Sequence, residues 1–498
     1  MRPKVFVLAL SLATPAMADP SFIPREIPSH VYTGGWEHYV GGGVAAFDCS
    51  GDGLPELFAA GGDSPSQLFL NAPGMTFSEE TPDTLALTGL TGAYPIDIDG
   101  DDILDLALLR AGPDKLMRGL GKCQFTEFDL GFSSGDHWTT AFSATWEPGQ
   151  ILPTLAFGTY VDRSDPEGPF EACDDTLLYR PEGDRFGDPL RLTGHCALSM
   201  LFTDWSRTGR QDLRVSNDRH YYVRDGEEQL WAMEQTPRLY EAADGWQRTQ
   251  IWGMGIASRD LSGDGFADIY LTSMGDQKFQ TFDGAANAPT YRDATYDRGT
   301  TAHRPHTGGD GRPSTGWHAA FGDVNNDGLD DIFVAKGNVE LMPSAAMKDP
   351  NSLLMQTLDG RFSEGSTAAG VASMAKSRGA ALIDLDLDGD LDLAVVNRGS
   401  DLELFENTSA GGNWITVSVQ QTGPNRNAIG AHLEVCFADR CHIRERTIGG
   451  GHASGQSAPE HFGLGAATSA RLRVIWPDQR TSDWQNAKAN TAVEITRD

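Results

Sequence analysis

One acidic loop of nine residues occurs five times in the chain, and a short apolar run follows every copy. Oxygen-bearing side chains recur at loop positions 1, 3, 5 and 9, and position 7 can add a backbone carbonyl. Calcium takes about six to eight oxygen ligands, which a loop of this kind can supply. We therefore predict about five Ca²⁺ sites, one in each loop. The predicted ligands are Asp48, Ser50, Asp52, Glu56, Asp97, Asp99, Asp101, Asp105, Asp260, Ser262, Asp264, Asp268, Asp323, Asn325, Asp327, Asp331, Asp384, Asp386, Asp388 and Asp392.

These loops begin like an EF-hand loop, but their surroundings differ. An EF-hand needs a bidentate glutamate at position 12 and a helix on each side. The flanking runs here, such as 44–47 and 332–335, are short and apolar, which is typical of strands. Each loop is therefore predicted to join two strands. Position 12 is apolar in every copy, being Ala59, Leu108, Leu271, Val334 and Val395.

A plain surface turn is the alternative interpretation, because Asp, Asn and Gly favour turns without any metal. Five loops in register, with carboxylates that repel one another unless a cation lies among them, favour the metal interpretation. Four loops carry glycine at position 6, where a tight bend needs a positive φ. The loop that begins at Asp97 departs from this pattern, with Asp102 at position 6 and Gly100 at position 4.

The number of carboxylates differs between loops, and ligand charge tunes calcium affinity. The loops that begin at Asp97 and Asp384 each offer four carboxylates and are expected to fill first. The loop that begins at Asp48 has Ser50 at position 3 and Glu56 at position 9, so we expect weaker binding there.

The N-terminus and the charge predict an exported protein. A charged start, the apolar stretch 5–13 and an Ala-x-Ala pattern ending at Ala18 are typical of a signal peptide, so residues 1–18 are expected to be removed after Ala18. A periplasmic or secreted location follows. The formal net charge of −31 disfavours nucleic acid and anionic lipid as partners. No later run approaches the roughly 20 apolar residues of a membrane span.

Six cysteines behind an export signal predict disulfides. Cys436 and Cys441 bracket a short hairpin and form the first expected pair. Cys173–Cys196 is expected to close an insertion loop. Cys49–Cys123 then follows by elimination.

The spacing of the loops predicts a closed ring of repeats. Two worn copies, at 204–212 and 146–154, fill the gaps and give seven units spaced by about 49 to 63 residues. Units of this size cannot bury both sheet faces alone, but neighbours in a ring can cover them. We predict an all-β chain with a seven-bladed β-propeller over residues 19–410. An open solenoid is the competing architecture.

Two groups of motifs carry a family resemblance. Thr315–Asp323 and Arg378–Asp384 make the repeats similar to FG-GAP (VCBS-type) repeats of integrin α-chain propellers. This resemblance implies a seven-bladed propeller with calcium in its blade loops, and it is broken at the two worn copies.

Beyond about residue 411 the acidic loops stop, and strand patterns alternate with glycine turns. A small β-rich domain is therefore predicted over 411–498. Four motifs there resemble the ASPIC/UnbV domain, and repeats followed by this domain are similar to the cartilage acidic protein 1 family. The motifs are Asn425–Ala431, Gly449–Ser454, His461–Gly465 and Val474–Pro477.

The functional hypothesis is a non-enzymatic protein for adhesion or for binding an unidentified protein or glycan. The alternative is a polysaccharide-acting hydrolase or lyase, which needs two free carboxylates about 5–10 Å apart in a cleft. The segment 451–455 contains His452 and Ser454 but lacks the residue order of a nucleophile elbow, so we interpret it as a structural turn. Four tryptophans that precede blades are candidates for sugar stacking or for packing between blades. They are Trp36, Trp138, Trp252 and Trp317.

Overall fold

The computed structural model describes residues 19–164, 172–219, 226–284 and 287–498. The predicted signal peptide lies outside these ranges. Strands dominate the described residues, which confirms the all-β prediction. The helices are single turns at Trp36–His38, Ala242–Asp244, Thr295–Arg298 and Ser366–Ala369.

Between residues 22 and 407, antiparallel meanders follow one another, and we number them in chain order. Meanders 1 and 2 comprise Val44–Phe47, Glu56–Ala59, Gln67–Leu70 and Ser78–Glu79, then Leu90–Ile96, Asp105–Gly112, Lys115–Gly119 and Phe125–Glu127. Meanders 3 and 4 comprise His137–Thr145, Thr154–Thr159, Thr176–Tyr179 and Leu190–Leu192, then Ala197–Thr203, Asp212–Asn217, Gln229–Ala232 and Arg238–Leu239. A small hairpin, Pro181–Glu182 with Arg185–Phe186, extends meander 3. Meanders 5 and 6 comprise Gly253–Arg259, Asp268–Ser273, Lys278–Phe282 and Tyr291–Asp293, then Gly316–Gly322, Asp331–Lys336, Ser352–Gln356 and Phe362–Glu364.

Meander 7 closes the ring by combining the two ends of the repeat region. Its first three strands are Ser377–Ile383, Asp392–Asn397 and Glu403–Asn407, and its outermost strand is Phe22–Arg25. Phe22 lies opposite Asn407 in this pairing. The first strand of every meander lies beside that of the next, and the first strand of meander 7 lies beside that of meander 1. The predicted β-propeller is therefore present.

The C-terminal β domain forms two small sheets around its own apolar core. One sheet orders Glu460–Gly465, Asn413–Gln421 and Thr491–Arg497. The other orders Arg440–Glu445, His432–Phe437, Ser469–Ile475 and Gln485–Lys488. Alternating burial along Ser469–Ile475 reflects one face on the core and one in solvent.

A segment of the C-terminal domain, Ile448–Ser457, occupies the axis of the propeller, and we name it the axial segment. Its last strand, Gly455–Ser457, pairs in parallel with the first strand of meander 1. The segment bonds to every meander and covers inner strand edges that a bare ring leaves unpaired. Its partners in meander order are Val44, Ala93, Ser143, Met200, Ile256, His318 and Leu382.

The glycines that precede the acidic loops suit this packing. The sequence predicts that they let blades approach one another at the axis. In the structure, a Cβ at Gly43 or Gly92 would overlap the carbonyl of Ala453, and one at Gly379 would overlap the Ser454 hydroxyl. The close neighbour at Gly43 and Gly92 is therefore the axial segment, whereas at Gly379 the backbone of Gly42 and Gly43 in the adjacent meander lies close as well.

His452 gives the axial segment a pH-dependent contribution to stability. Its Nδ1–H donates to the Met254 carbonyl at 3.1 Å, and its Nε2 accepts from Gly41 N–H at 3.2 Å. Burial lowers the pKa of His452 to about 3, so the folded ring stays neutral at pH 5. The unfolded ring takes up a proton below about pH 6.5. The stabilisation is complete above about pH 6.5 and is lost as the pH falls towards 3.

We therefore expect the stability difference between the wild type and His452→Gln to shrink on acidification. Glutamine retains one donor and one acceptor but does not titrate. From pH 6.5 to pH 5 the difference in free energy of unfolding should fall by about 2 kcal/mol, at about 1.4 kcal/mol per pH unit. Chemical denaturation at both pH values measures it, and an unchanged difference would contradict this assignment.

Candidate metal-binding loops

All five predicted loops lie at the same end of the first strands. Each loop joins the first and second strands of its meander, in meanders 1, 2, 5, 6 and 7. The residue at loop position 9 is also the first residue of the second strand, as Glu56 and Asp392 show. We call this end of the propeller the loop face. It is also the end on which the C-terminal domain packs.

The position 1 carboxylate organises its own loop by accepting backbone N–H groups. Asp48 accepts from Gly51 at 2.7 Å and from Gly53 at 2.8 Å. Asp260 accepts from Gly263 and Gly265, each at 2.8 Å. The loop conformation is therefore fixed by the protein itself.

Two loop positions adopt a positive φ, and only position 6 was predicted to do so from the sequence. Position 6 is left-handed in every copy, including Asp102 with φ 72°. Position 4 is left-handed as well, with Asn326 at 54° and Leu387 at 63°. A leucine in this region costs about 1–2 kcal/mol, so the rest of the loop must hold it there. Glycine at position 4 in the other three loops was the available signal.

The position 9 carboxylate braces the meander by accepting backbone N–H groups from its own loop and from the third strand. Asp392 accepts from Leu385 N–H at 2.9 Å and from Asn407 N–H, on the third strand, at 2.8 Å. Asp105 bonds in the same way to Ile98 and Gly119.

The structure brings three carboxylates together in three of the loops. In each of these loops, carboxylate oxygens from three residues lie within 4.8 Å of one another. The loops that begin at Asp260 and Asp323 form no such group of three acids within the described residues. At position 3 their Ser262 and Asn325 replace a carboxylate. The three groups are Asp48, Asp52 and Glu56; Asp97, Asp99 and Asp101; and Asp384, Asp386 and Asp392.

Several of these oxygens are buried and accept no hydrogen bond from the described residues. They include Glu56 Oε1, Asp384 Oδ1 and Asp386 Oδ1. Burial, against the opposing effect of backbone N–H donors and with a smaller contribution from nearby aspartates, raises the pKa of Glu56 and of Asp384 to about 7. Buried oxygens without donors are costly, and a hard cation among them removes that cost. The residues therefore fit a calcium ion.

Arg118 distinguishes the second loop from the fifth. Its guanidinium lies 2.8 Å from Asp99 and 3.0 Å from Asp101. A protein cation thus already neutralises part of the loop that begins at Asp97. This loop and the loop that begins at Asp384 each offer four carboxylates, so the sequence predicts that both fill first. Of these two, only the loop that begins at Asp97 pairs with an arginine within the described residues. Arg118 lies on the third strand, so no feature within the loop reveals it.

The worn copy in meander 4 keeps the loop shape, with Arg207 and Gly209 left-handed at positions 4 and 6, but both worn copies supply other partners. In meander 4, Asp204 still accepts from Gly209 N–H at 2.7 Å, while the Arg210 guanidinium lies 2.9 Å from Asp212. In meander 3, Glu147 accepts from Thr154 at 2.8 Å. An internal cation therefore pairs with the position 9 carboxylate in meander 4.

The loop that begins at Asp323 lies beneath the C-terminal domain. Gly463 passes so close that a Cβ there would overlap the Asp323 carboxylate. Arg444 lies 2.7 Å from Asp330 in the same loop. Burial acts to raise the pKa of Asp330, but the guanidinium groups of Arg444 and Arg259 lower it to about 2.

The fully buried candidates from the sequence are structural. Trp138 and Trp317 are 1% and 0% exposed, so packing rather than sugar stacking accounts for them. The rings of Trp36 and Trp138 meet edge to face at 5.8 Å. His452 and Ser454 belong to the axial segment, where the Ser454 hydroxyl accepts from Val44 N–H at 3.0 Å. This agrees with the prediction of a structural turn.

Family comparisons agree with this arrangement. Residues 48–108 match the FG-GAP-like repeat, and residues 421–498 match the ASPIC and UnbV domain. The chain combines an FG-GAP-like repeat with an ASPIC/UnbV domain. Among curated proteins, none matches the sequence.

Two solved structures are distant neighbours. BBS1N, solved in complex with ARL6DN, is 12% identical, with 78% of this chain and 97% of that chain covered, at a TM-score of 0.44. A lectin from Agrocybe aegerita that recognises non-reducing terminal N-acetylglucosamine is 15% identical, with 70% of this chain and 91% of that chain covered, at a TM-score of 0.39. Both are too distant to inform function.

Glycines at position 6 offer a matched test of how the C-terminal domain packs on the loops. Gly53 and Gly389 both have φ 93°. A Cβ at Gly389 would overlap the Trp414 ring, whereas at Gly53 it would meet only Leu387 at 3.7 Å. Both alanine variants lose about 1–2 kcal/mol from the left-handed conformation. Gly389→Ala should lose about 1–3 kcal/mol more through overpacking. Equal denaturation midpoints for the two variants would exclude this contact.

Proposed function

We propose that the chain is an exported, calcium-binding β-propeller that performs no chemistry and binds a protein or glycan ligand, as in adhesion. The observation that carries the calcium proposal is the set of buried carboxylate oxygens without hydrogen-bond donors in the repeated loops. Calcium prefers oxygen ligands, and the loops present them in short turns between strands.

We assign about five sites, one in each loop, with the ligands predicted from the sequence. The loop that begins at Asp384 gathers its acids without a competing arginine, so we propose that it fills first. The loop that begins at Asp97 must displace Arg118 and is proposed to bind more weakly. Bound calcium then acts through stability, because the loops support the contact between the propeller and the C-terminal domain.

Removal of calcium should lower the melting temperature strongly. An ion at a hundredfold excess over its Kd stabilises the folded state by about 2.7 kcal/mol per site. Calorimetry in calcium and in EDTA, with elemental analysis of the purified protein, measures this. Asp384→Asn should reduce the shift, whereas Asp83→Asn, on an exposed turn, serves as the matched control. A melt that is the same in EDTA, with no calcium in the protein, would refute the proposal.

Arg118 should compete with calcium in the second loop. Arg118→Met removes the internal cation and is expected to raise calcium affinity there by about tenfold, equivalent to roughly 1.4 kcal/mol. Arg118→Lys keeps the charge and is the control. Isothermal titration calorimetry measures the calcium affinity of both variants. An unchanged calcium affinity in Arg118→Met would show that the guanidinium does not compete.

The disulfides support an extracytoplasmic location. The structure forms all three pairs expected from the sequence: Cys49–Cys123, Cys173–Cys196 and Cys436–Cys441. Such bonds form and persist in oxidising compartments. In the part of the chain that the structure describes, no helix has the length and apolar character needed to cross a membrane. Removal of residues 1–18 after Ala18 stays a prediction, checked by N-terminal sequencing of the mature protein.

The ligand is best sought by affinity capture from the native envelope, with a glycan array in parallel. Capture should occur in calcium and be lost in EDTA, if the loops maintain the binding surface. An activity screen on polysaccharides tests the alternative of a hydrolase or lyase, and turnover in that screen would overturn the non-enzymatic proposal.

A further inference from the structure

A cavity of about 590 Å³ lies between the axial segment, the C-terminal domain and the first strands of meanders 2 and 4 to 7. Its walls combine polar and charged residues with apolar ones, which include Leu201, Ile256, Phe321, Leu382 and Ile448. Sites for small molecules usually have volumes of about 300–1,000 Å³ and combine apolar walls with a few placed polar groups. This cavity has both properties.

His318 places one hydrogen-bond donor in the cavity wall. Its Nδ1 accepts from His452 N–H at 3.1 Å, so the proton of the neutral ring lies on Nε2. Burial lowers the pKa of His318 to about 4, which keeps the ring neutral. The side chain is 6% exposed, and its Nε2–H has no acceptor within the described residues. An ordered donor therefore faces the cavity.

Arg259 places a second donor group further along the same wall. Its Nη2 lies 3.3 Å from the Phe321 carbonyl, and its Nε lies 3.7 Å from Asp330. Both distances are long, and Nε makes no hydrogen bond within the described residues. Phe321 is three residues from His318 on one strand, so the backbones of these two residues lie roughly 10 Å apart.

Arg259 is the least well paired of three guanidinium groups along this wall. It shares Asp330 with Arg444, which lies closer to that carboxylate, at 2.7 Å. Arg446 pairs with Glu460 at 3.7 Å. The remaining carboxylates of the lining, Asp48, Asp384 and Glu445, form no ion pair with Arg259 within the described residues. An anionic ligand group beside Arg259 completes the pairing of its guanidinium.

We propose that this cavity binds a small organic acid whose apolar body separates its carboxylate from a second hydrogen-bond acceptor. The carboxylate pairs with Arg259, the acceptor takes the proton of His318 Nε2, and the apolar body lies against Ile256 and Leu382. The site goes beyond the proposed function, because it requires neither a macromolecular ligand nor a specific number of calcium ions.

The first experiment uses the full chain in calcium, with 1-anilinonaphthalene-8-sulfonate as a fluorescent probe. We expect saturable binding of one probe per chain. Ala320→Trp places a large ring in the cavity beside a half-buried alanine and should abolish the signal. Leu358→Trp, at a side chain 72% exposed and outside the cavity, is the matched control. If Ala320→Trp lowers the melting temperature, Ala320→Leu gives a smaller filling change. Undiminished binding in both filling variants would overturn the proposal.

The second experiment tests the contacts proposed for the two ends of the ligand, by displacement of the fluorescent probe. Octanoate should compete with the probe. Arg259→Gln should weaken the binding of octanoate by about tenfold, whereas Arg292→Gln, on an exposed strand, should leave it unchanged. 8-Hydroxyoctanoate carries an acceptor at its far end and should compete more strongly than octanoate. His318→Phe should remove that preference and leave octanoate unchanged. Equal competition by the two acids in the wild type would overturn the assignment of His318.

Discussion

Inner strand edges are the constraint on which the rest of this structure depends. A propeller ring leaves one backbone edge of each first strand facing the axis, and unpaired edges are unstable. The axial segment satisfies these edges by bonding to every meander, with Gly455–Ser457 added in parallel to Val44–Phe47. The C-terminal domain is therefore not an appendage. It supplies the centre of the propeller and positions the loop face against itself.

The acidic loops meet one electrostatic demand in different ways. Buried carboxylates need a positive charge nearby, because burial alone holds protons on them. Meander 4 supplies Arg210, and meander 2 supplies part of the charge through Arg118. Within the described residues, no arginine pairs with the acids of the loop that begins at Asp384, and two of its buried oxygens, on Asp384 and Asp386, accept no hydrogen bond. The loops thus differ in how far protein cations neutralise their carboxylates.

Local patterns predicted much of this molecule. Loop spacing, apolar runs and cysteine positions indicated the β-propeller, the C-terminal β domain and all three disulfide pairs, because each depends on short-range chemistry or simple pairing. The contacts of Arg118, the axial position of residues 448–457 and the positive φ of Leu387 were not predicted. Arg118 lies on a neighbouring strand rather than in the loop, and the axial segment meets strands that are far away in sequence. The positive φ of Leu387 had a local signal, glycine at position 4 of three other loops, which the prediction did not use. Resemblance of residues 449–454 to a domain motif gave no indication that they fill the propeller axis.

The pairing of Phe22–Arg25 with Glu403–Asn407 sets the order of assembly. Phe22–Arg25 pairs with a strand almost 400 residues later in the chain, and the axial segment lies later still in the sequence. Contacts of such high sequence separation slow folding and expose strand edges in the meantime. The ring therefore closes only when nearly the whole polypeptide has been made, which places completion of the fold after synthesis rather than during it.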